Sequence, residues 1–251
     1  MSPITDPANV LAWDSEQFGF PVARIANADS PTALVQIAER LRDRGVKLAY
    51  FNTPTAHPEL SSATLAAVGG HLADVRLTYS KSLLNPDDSF SEGQASAPNT
   101  RFAVDEYRSD QTPLRLIELS RAAGEYSRFR TDPRIKQSVF ERIYDAWIER
   151  SVRHEIADAV FVARRSEDIV GLITWKYESD LSQIGLVAVH ADTRGQGVGR
   201  QLLRAAAARM SAVGSREARV VTQAANAGAC RLYEAAGFSE VASERCYHLW
   251  L

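Results

Sequence analysis

The chain has 251 residues, enough for one large domain or two small ones with a real core. Its 29 Lys and Arg against 31 Asp and Glu leave no footing for broad attraction to nucleic acid or to a membrane surface, so partners must be sought at local sites. Two cysteines, Cys230 and Cys246, are too few for a disulfide framework or a metal knuckle and read as small core residues.

The opening, MSPITDPANV, lacks the basic and apolar regions of a secretory signal, and no later apolar run nears the roughly 20 residues of a membrane span. A cytoplasmic protein is expected. A helix over residues 33–45 leads to a strand, KLAYFN, a short helix over 61–68 closed by Gly69 and Gly70, and a strand over 74–83. Residues 85–100, NPDDSFSEGQASAPNT, are polar, rich in Pro, Ser and Asp, and without periodicity, as a linker is. The expected division is an N-terminal α/β half domain over 1–84, the linker, and a larger domain over 101–251.

In the larger part RFAVDEY reads as a strand, and Pro113 opens a helix to about Glu125. Ile135, Val139, Ile143 and Trp147 mark a second helix with one apolar stripe. AVFVARR and IVGLITWKY, joined by SED, read as a hairpin. A strand, IGLVAVH, then meets a glycine-rich loop, and Val198, Leu202, Ala206, Met210 and Val213 follow at helical spacing. The strand ARVVTQ, a helix over 227–236 closed by Gly237, and a strand ending CYHLWL complete the chain. Aligning Gly69 with Gly237 makes Leu65 the counterpart of Tyr233, so the first half reads either as a degenerate repeat of the second or as α/β segments that simply look alike.

The loop, TRGQGVGRQLL, is built to hold a phosphate. A dinucleotide fingerprint needs its third glycine at 200, where Arg200 stands. A triphosphate loop starting at Gly195 would need a glycine at that same place, then Lys and Ser or Thr, where Gln201 and Leu202 stand. What remains is R-x-x-G-x-G: Arg194, Gly197 and Gly199 between a strand and a helix. Glycines let a diphosphate approach the backbone, and the first N–H groups of a helix have no internal partner. An ordinary glycine-rich connection would carry the same local pattern.

The order of elements, with R-x-x-G-x-G followed by N-x(6)-Y-E-x-x-G-F at Asn226, Tyr233, Gly237 and Phe238, resembles the GNAT superfamily of acyl-CoA-dependent N-acyltransferases. The resemblance covers residues 100–251. It implies an α/β fold with a mixed sheet, the GNAT acyltransferase fold, here with a smaller N-terminal GNAT-like half domain. It implies acetyl-CoA as co-substrate and no metal. The pyrophosphate of coenzyme A would lie on Arg194, Gly195, Gln196, Gly197, Val198, Gly199 and Arg200. The pantetheine arm would pair with the backbone of Leu186, Val187, Ala188 and Val189, like an added strand, and would meet Asn226. Tyr233 would be the general acid to the departing thiolate, since a phenol can hydrogen-bond a sulfur and give it a proton; the alternative is a core tyrosine. No general base is named. His190 and Glu178 lie near strand ends, and water can take the proton instead.

Two further stretches narrow the resemblance. Trp13, Asp14, Ser15, Phe18, Gly19, Arg24 and Ile25, with Ser127, Arg128, Phe129 and Arg130, resemble the two-domain branch that acetylates the amine of a dTDP-linked amino-deoxysugar, the dTDP-fucosamine (dTDP-4-amino-4,6-dideoxygalactose) acetyltransferases. The acceptor is then a nucleotide sugar, and Arg128 and Arg130 are its expected binding residues, because guanidinium donors bind phosphate in pairs. They can equally cap a helix or pair with Asp132. Trp13 and Phe18 are better placed as packing, and Asp14 and Ser15 can form a turn. Rival readings are N-acetylation of another small amine or a protein N-terminus, and a coenzyme A sensor without turnover. A homodimer through the terminal strands is the assembly considered.

Overall fold

The structure, a computed structural model, describes residues 8–84 and 101–251. The first seven residues and the expected linker over 85–100 lie outside the described residues. The chain forms two compact units that are not continuous in sequence: the first holds the chain up to Arg76 with Thr131–Arg134 and Ala242–Leu251, the second Leu77–Arg130 and Ile135–Val241.

In the first unit β1 (Ala8–Val10) runs antiparallel to β2 (Val22–Ile25), with α1 (Ala12–Phe18) between them. Ser15 is structural there: its hydroxyl donates to the Leu11 carbonyl and accepts from the Val22 N–H. α2 (Pro31–Asp43) starts where Ser30 caps the Ala33 N–H and Pro31 fixes the first helical φ. Leu34, Ile37, Ala38 and Leu41, at i, i+3, i+4 and i+7, are the buried face of α2. It carries the chain to β3 (Leu48–Pro54), parallel to β2.

α3 (Ser62–Ala67), capped by Ser61, ends at Gly69 and leads into β4 (Gly70–Ser82). The last strand, β10 (Ser239–Trp250), lies between β3 and β4, antiparallel to β3 from Glu244 opposite Pro54 to Trp250 opposite Leu48. It thus has a strand neighbour on each side, with β3 alongside Glu244–Trp250. Gly69 and Gly237 both take positive φ after a short helix and before a long strand, at 62° and 81°.

Asp132, 2% exposed, lies in this unit. Burial pushes its carboxyl pKa up, but hydrogen bonds from His248, the Arg134 N–H and Trp250 more than offset this and hold it down at about 2.

In the second unit the strand order is β4 (its part from Leu77), β9 (Glu217–Gln223), β8 (Leu181–Val189), β7 (Asp168–Glu178), β6 (Ala159–Arg165) and β5 (Ala103–Glu106). β5 to β8 are antiparallel neighbours, while β8 and β9 run parallel. The expected hairpin is present, with Ser166 and Glu167 as its turn and Ser166 at φ 53°. β6 is buried on both faces. Ala159, Phe161 and Ala163 join one core with Ile173, Ile184 and Val220, so the alternating Val160 and Val162, also buried, face the other side.

α4 (Leu114–Ala123) packs against α6 (Gln137–Val152) and lies on β7 and β8. Pro113 is the N-cap of α4, one place before the first helical position expected of it, and α6 begins after Ile135. α7 (Val198–Ala212) and α8 (Ala227–Ala235) contribute Val198, Leu202, Ala206, Met210 and Tyr233 to the core that holds Phe161. α1 and α5 (Arg128–Thr131), seven and four residues long, have no counterpart in the sequence reading. Cys246 is buried, while Cys230 is half-buried.

Leu202 is fully buried and Leu114 is 68% exposed. Leu202→Ala is expected to lower unfolding stability by about 2–5 kcal/mol and Leu114→Ala by less than about 0.5 kcal/mol, read from urea denaturation midpoints.

Candidate active site

The site begins with a fault in pairing. Trp175 faces Ile184 and Ile173 faces Val187, so Gly185 and Leu186 together oppose the single residue Thr174, a β-bulge. The Leu186 N–H, displaced from a backbone partner, donates to Thr174 Oγ1 at 2.9 Å. Gly185 leaves room for this: a methyl group in its place would lie 2.8 Å from that same oxygen and 3.7 Å from the Trp147 indole nitrogen.

The bulge turns β8 away from β9. Their pairing runs only from Leu181–Glu217 to Ile184–Val220, although β8 continues to Val189 and β9 to Gln223. Beyond the bulge the His190 N–H donates to the Val170 carbonyl on the β7 side. Backbone groups alternate in direction along a strand, so those of Val187 and Val189 face the parted side.

A 3-10 turn (Ala191–Thr193) then leads to the glycine loop. Gly195 and Gly197 take φ of 74° and 83°, where a side chain is strained, and Gly197 caps α7 without a side-chain acceptor. Among the described residues the N–H groups of Val198, Gly199 and Arg200 have no acceptor, and the first bond of the helix is Gln201 N–H to the Gly197 carbonyl. Gly199 matters for packing instead. A Cβ there would stand 3.0 Å from Leu232, so the glycine lets α7 approach α8. Arg194 is exposed and its Nε donates to the Val189 carbonyl at 3.1 Å, tying the loop to the strand end. Arg200 is exposed at the helix start, and Arg101 reaches Gln196.

Asn226 is the N-cap of α8, its Oδ1 accepting from the Ala229 N–H at 3.1 Å, which leaves the amide NH2 as its donor to other groups. Tyr233 is 4% exposed, its ring between Tyr79 and Phe238 with centroids 5.9 and 6.0 Å away. Burial first, and then neighbouring Cys230, push its pKa upward. α8 is held from β4 at two points: Tyr79 donates to Glu234 at 3.0 Å, and Lys81 Nζ to the Ala236 carbonyl at 2.7 Å, a cation on the helix C-terminus.

The contacts seen for the other expected residues are with neighbouring side chains and backbone. Arg128 lies over the Phe129 ring, 4.4 Å from its centroid, and Arg130 donates to Gln137 Oε1 with its guanidinium near Phe140. Asp132 takes neither arginine as a partner; its donors are His248, Trp250 and the Arg134 N–H. His190 caps the 3-10 turn through the Asp192 N–H, and Glu178 pairs with Lys176 on the surface. Phe18 is buried against Phe20, which fits packing. Cavities of about 350 Å³, around Tyr107, Arg115 and Arg164, and of about 170 Å³, around Asp158, Trp175 and Arg209, contain no loop residue. The loop and the parted strands form an open cradle. Thr174, Gly185, Tyr79 and Lys81 escaped the sequence reading, because each lies inside an otherwise ordinary strand pattern.

Residues 121–238 match the model of the acetyltransferase (GNAT) family. The fold is that of the GNAT acyltransferases. No curated protein sequence matches the chain. A conserved protein of unknown function from Staphylococcus epidermidis has a similar structure, with TM-score 0.72 at 10% identity over 99% of this chain and 93% of that one. So does a GCN5-related N-acetyltransferase from Sphaerobacter thermophilus, with TM-score 0.60 at 17% identity over 96% and 75%. A tandem GNAT protein from the clavulanic acid biosynthesis pathway gives 0.56 at 14% over 92% and 75%. At such identities the likeness is one of fold. Among the described residues, no helix is long and apolar enough to cross a membrane.

Thr174→Val keeps the shape of the strand but leaves the Leu186 N–H without its acceptor, and is expected to cost about 1–3 kcal/mol of stability. Gly197→Ala, forced to φ 83°, is expected to cost about 1–2 kcal/mol. Thermal or urea unfolding of each variant measures both.

Proposed function

We propose that this protein transfers the acetyl group of acetyl-CoA to a primary amine, and that the amine belongs to a dTDP-linked amino-dideoxysugar. One observation supports the transfer above all others. Donor groups of the parted β8 edge and of the α7 N-terminus lie at the two ends of one short turn, so a single chain segment offers a partner to an amide-bearing arm and to a diphosphate.

Acetyl-CoA supplies the activated acetyl group. The amides of Val198, Gly199 and Arg200 take its diphosphate, with Gly195, Gln196 and Gly197 shaping the approach and Arg194 and Arg200 adding charge. The backbone of Leu186, Val187, Ala188 and Val189 takes the pantetheine arm as an added strand, and the Asn226 amide NH2 reaches it. Tyr233 donates a hydrogen bond to the sulfur. Its raised pKa keeps it a donor at neutral pH. Much of the rate comes from holding amine and thioester together.

The nucleotide sugar rests on the resemblance of residues 11–25 and 126–135 to that branch. Arg128 and Arg130 take its diphosphate, Arg130 on leaving Gln137. The first 84 residues serve as a degenerate half domain, scaffold to the second, and the protein works in the cytoplasm.

Calorimetry with acetyl-CoA tests the cradle: Arg200→Glu should weaken binding at least tenfold, since it replaces an attracting charge by a repelling one, a change of about 1.4 kcal/mol or more. Tyr233→Phe should lower kcat on the order of 100-fold with acetyl-CoA affinity unchanged. Unchanged turnover would make Tyr233 a core residue only. A mass-spectrometric assay across dTDP-amino sugars, polyamines and peptide N-termini decides the acceptor. With the sugar, Arg128→Ala should raise its KM about tenfold more than that of acetyl-CoA, as one charge-assisted hydrogen bond implies.

A further inference from the structure

His71, Asp132 and His248 come from three distant points of the chain and meet in the first unit. His248 on β10 is paired with Tyr50 of β3, and the bond from the Trp250 N–H to the Gly69 carbonyl brings β4, with His71, to its other side. The two imidazoles stand edge to face, centroids 5.9 Å apart. Asp132 lies against both. Its Oδ2 is 2.6 Å from His248 Nδ1 and 3.4 Å from His71 Nε2, and accepts from Trp250 Nε1 at 3.0 Å. Its Oδ1 accepts from the Arg134 N–H at 2.9 Å.

Asp132 and His248 are wholly enclosed, while the His71 side chain keeps 32% of its surface in solvent. His71 Nε2 is itself enclosed and makes no hydrogen bond. Among the described residues, no Lys or Arg pairs with this carboxylate; the Arg134 guanidinium is turned to the Gly69 carbonyl.

A buried carboxylate needs a positive charge beside it, and around Asp132 an imidazolium of His248 or His71 or a bound cation can supply it. Two imidazole nitrogens and one carboxylate oxygen are the donors that borderline first-row metal ions prefer, and these atoms lie within 4.8 Å of one another. We propose that His71 Nε2, Asp132 Oδ2 and His248 Nδ1 bind a divalent first-row transition metal ion, with zinc as the best fit and water in the fourth position on the His71 side.

Ligand atoms around a tetrahedral zinc ion, with bonds of about 2.0–2.1 Å, stand about 3.3–3.4 Å apart. The His71 to Asp132 distance already has that value. His248 Nδ1 loses its proton to solvent as the ion enters, and the carboxylate swings away from it by several tenths of an ångström. The Trp250 and Arg134 N–H groups stay on the carboxylate and fix its direction. A metal here departs from the sequence expectation that none is bound, and it uses no residue of the proposed acyl-transfer machinery.

The test uses the full chain, stripped by chelator and given Zn2+ or Co2+ alone. About one ion per chain after desalting, a visible Co2+ spectrum with four-coordinate intensity, and an unfolding temperature raised by several degrees with Zn2+ are expected. His71→Ala, at the solvent edge of the cluster, should abolish uptake while the metal-free protein melts as before, because the Asp132–His248 pair remains. Two results overturn the proposal. One is an unmodified chain that retains no ion and gives no Co2+ spectrum, which makes the cluster a hydrogen-bond network only. The other is a His71→Ala chain that binds as tightly as its parent, which puts the ion elsewhere.

Discussion

A single misplaced backbone bond governs the second unit. Where β8 meets Thr174, one N–H turns from the strand ladder to a side-chain hydroxyl, and the strand gains a residue over its neighbour. A bulge bends and twists the strand that carries it. The parallel pairing with β9 stops at Ile184, and the two strands part. Buried backbone groups must find partners, so an opening between strands with alternate N–H and C=O groups facing it is a place for another extended chain. The same strand ends at the turn that starts α7, and Arg194 Nε on the Val189 carbonyl fixes the distance between the parted edge and the helix N-terminus. A site for a long ligand is thereby laid out along one continuous stretch of chain.

That continuity explains what the sequence made legible. The strand, the glycine loop and the stripe of α7 are local patterns: period two, positive φ at Gly195 and Gly197, then spacings of three and four. α4, α6 and the hairpin were readable for the same reason. The bulge was not, because Thr174 sits in a strand of β-branched and aromatic residues where a threonine is ordinary, and only the register shows that its hydroxyl replaces a carbonyl. α5 was invisible at four residues. Charge could be read at Arg128 and Arg130, but not where it would point, and the structure gives those guanidiniums to Phe129 and Gln137. Asp132 and His248, 116 positions apart, leave no sequence signal at all.

α8 is held by a part of the chain outside the expected domain over 101–251. This helix carries Asn226 and Tyr233, and its pose is set from β4, before residue 85. Tyr79 packs on the Tyr233 ring and hydrogen-bonds Glu234, while Lys81 holds the carbonyl of Ala236 at the helix end. Ser80 reaches Glu217, and the Leu83 N–H donates to the Arg216 carbonyl, so β4 also covers the edge of β9. A chain cut within 85–100 would lose all of these contacts. It would leave a sheet edge bare, a helix terminus without its cation, and the tyrosine ring open on one side. The last strand of the N-terminal half therefore completes the core on which the tyrosine rests, and the position of that phenol depends on residues 79–81 as well as on its own helix.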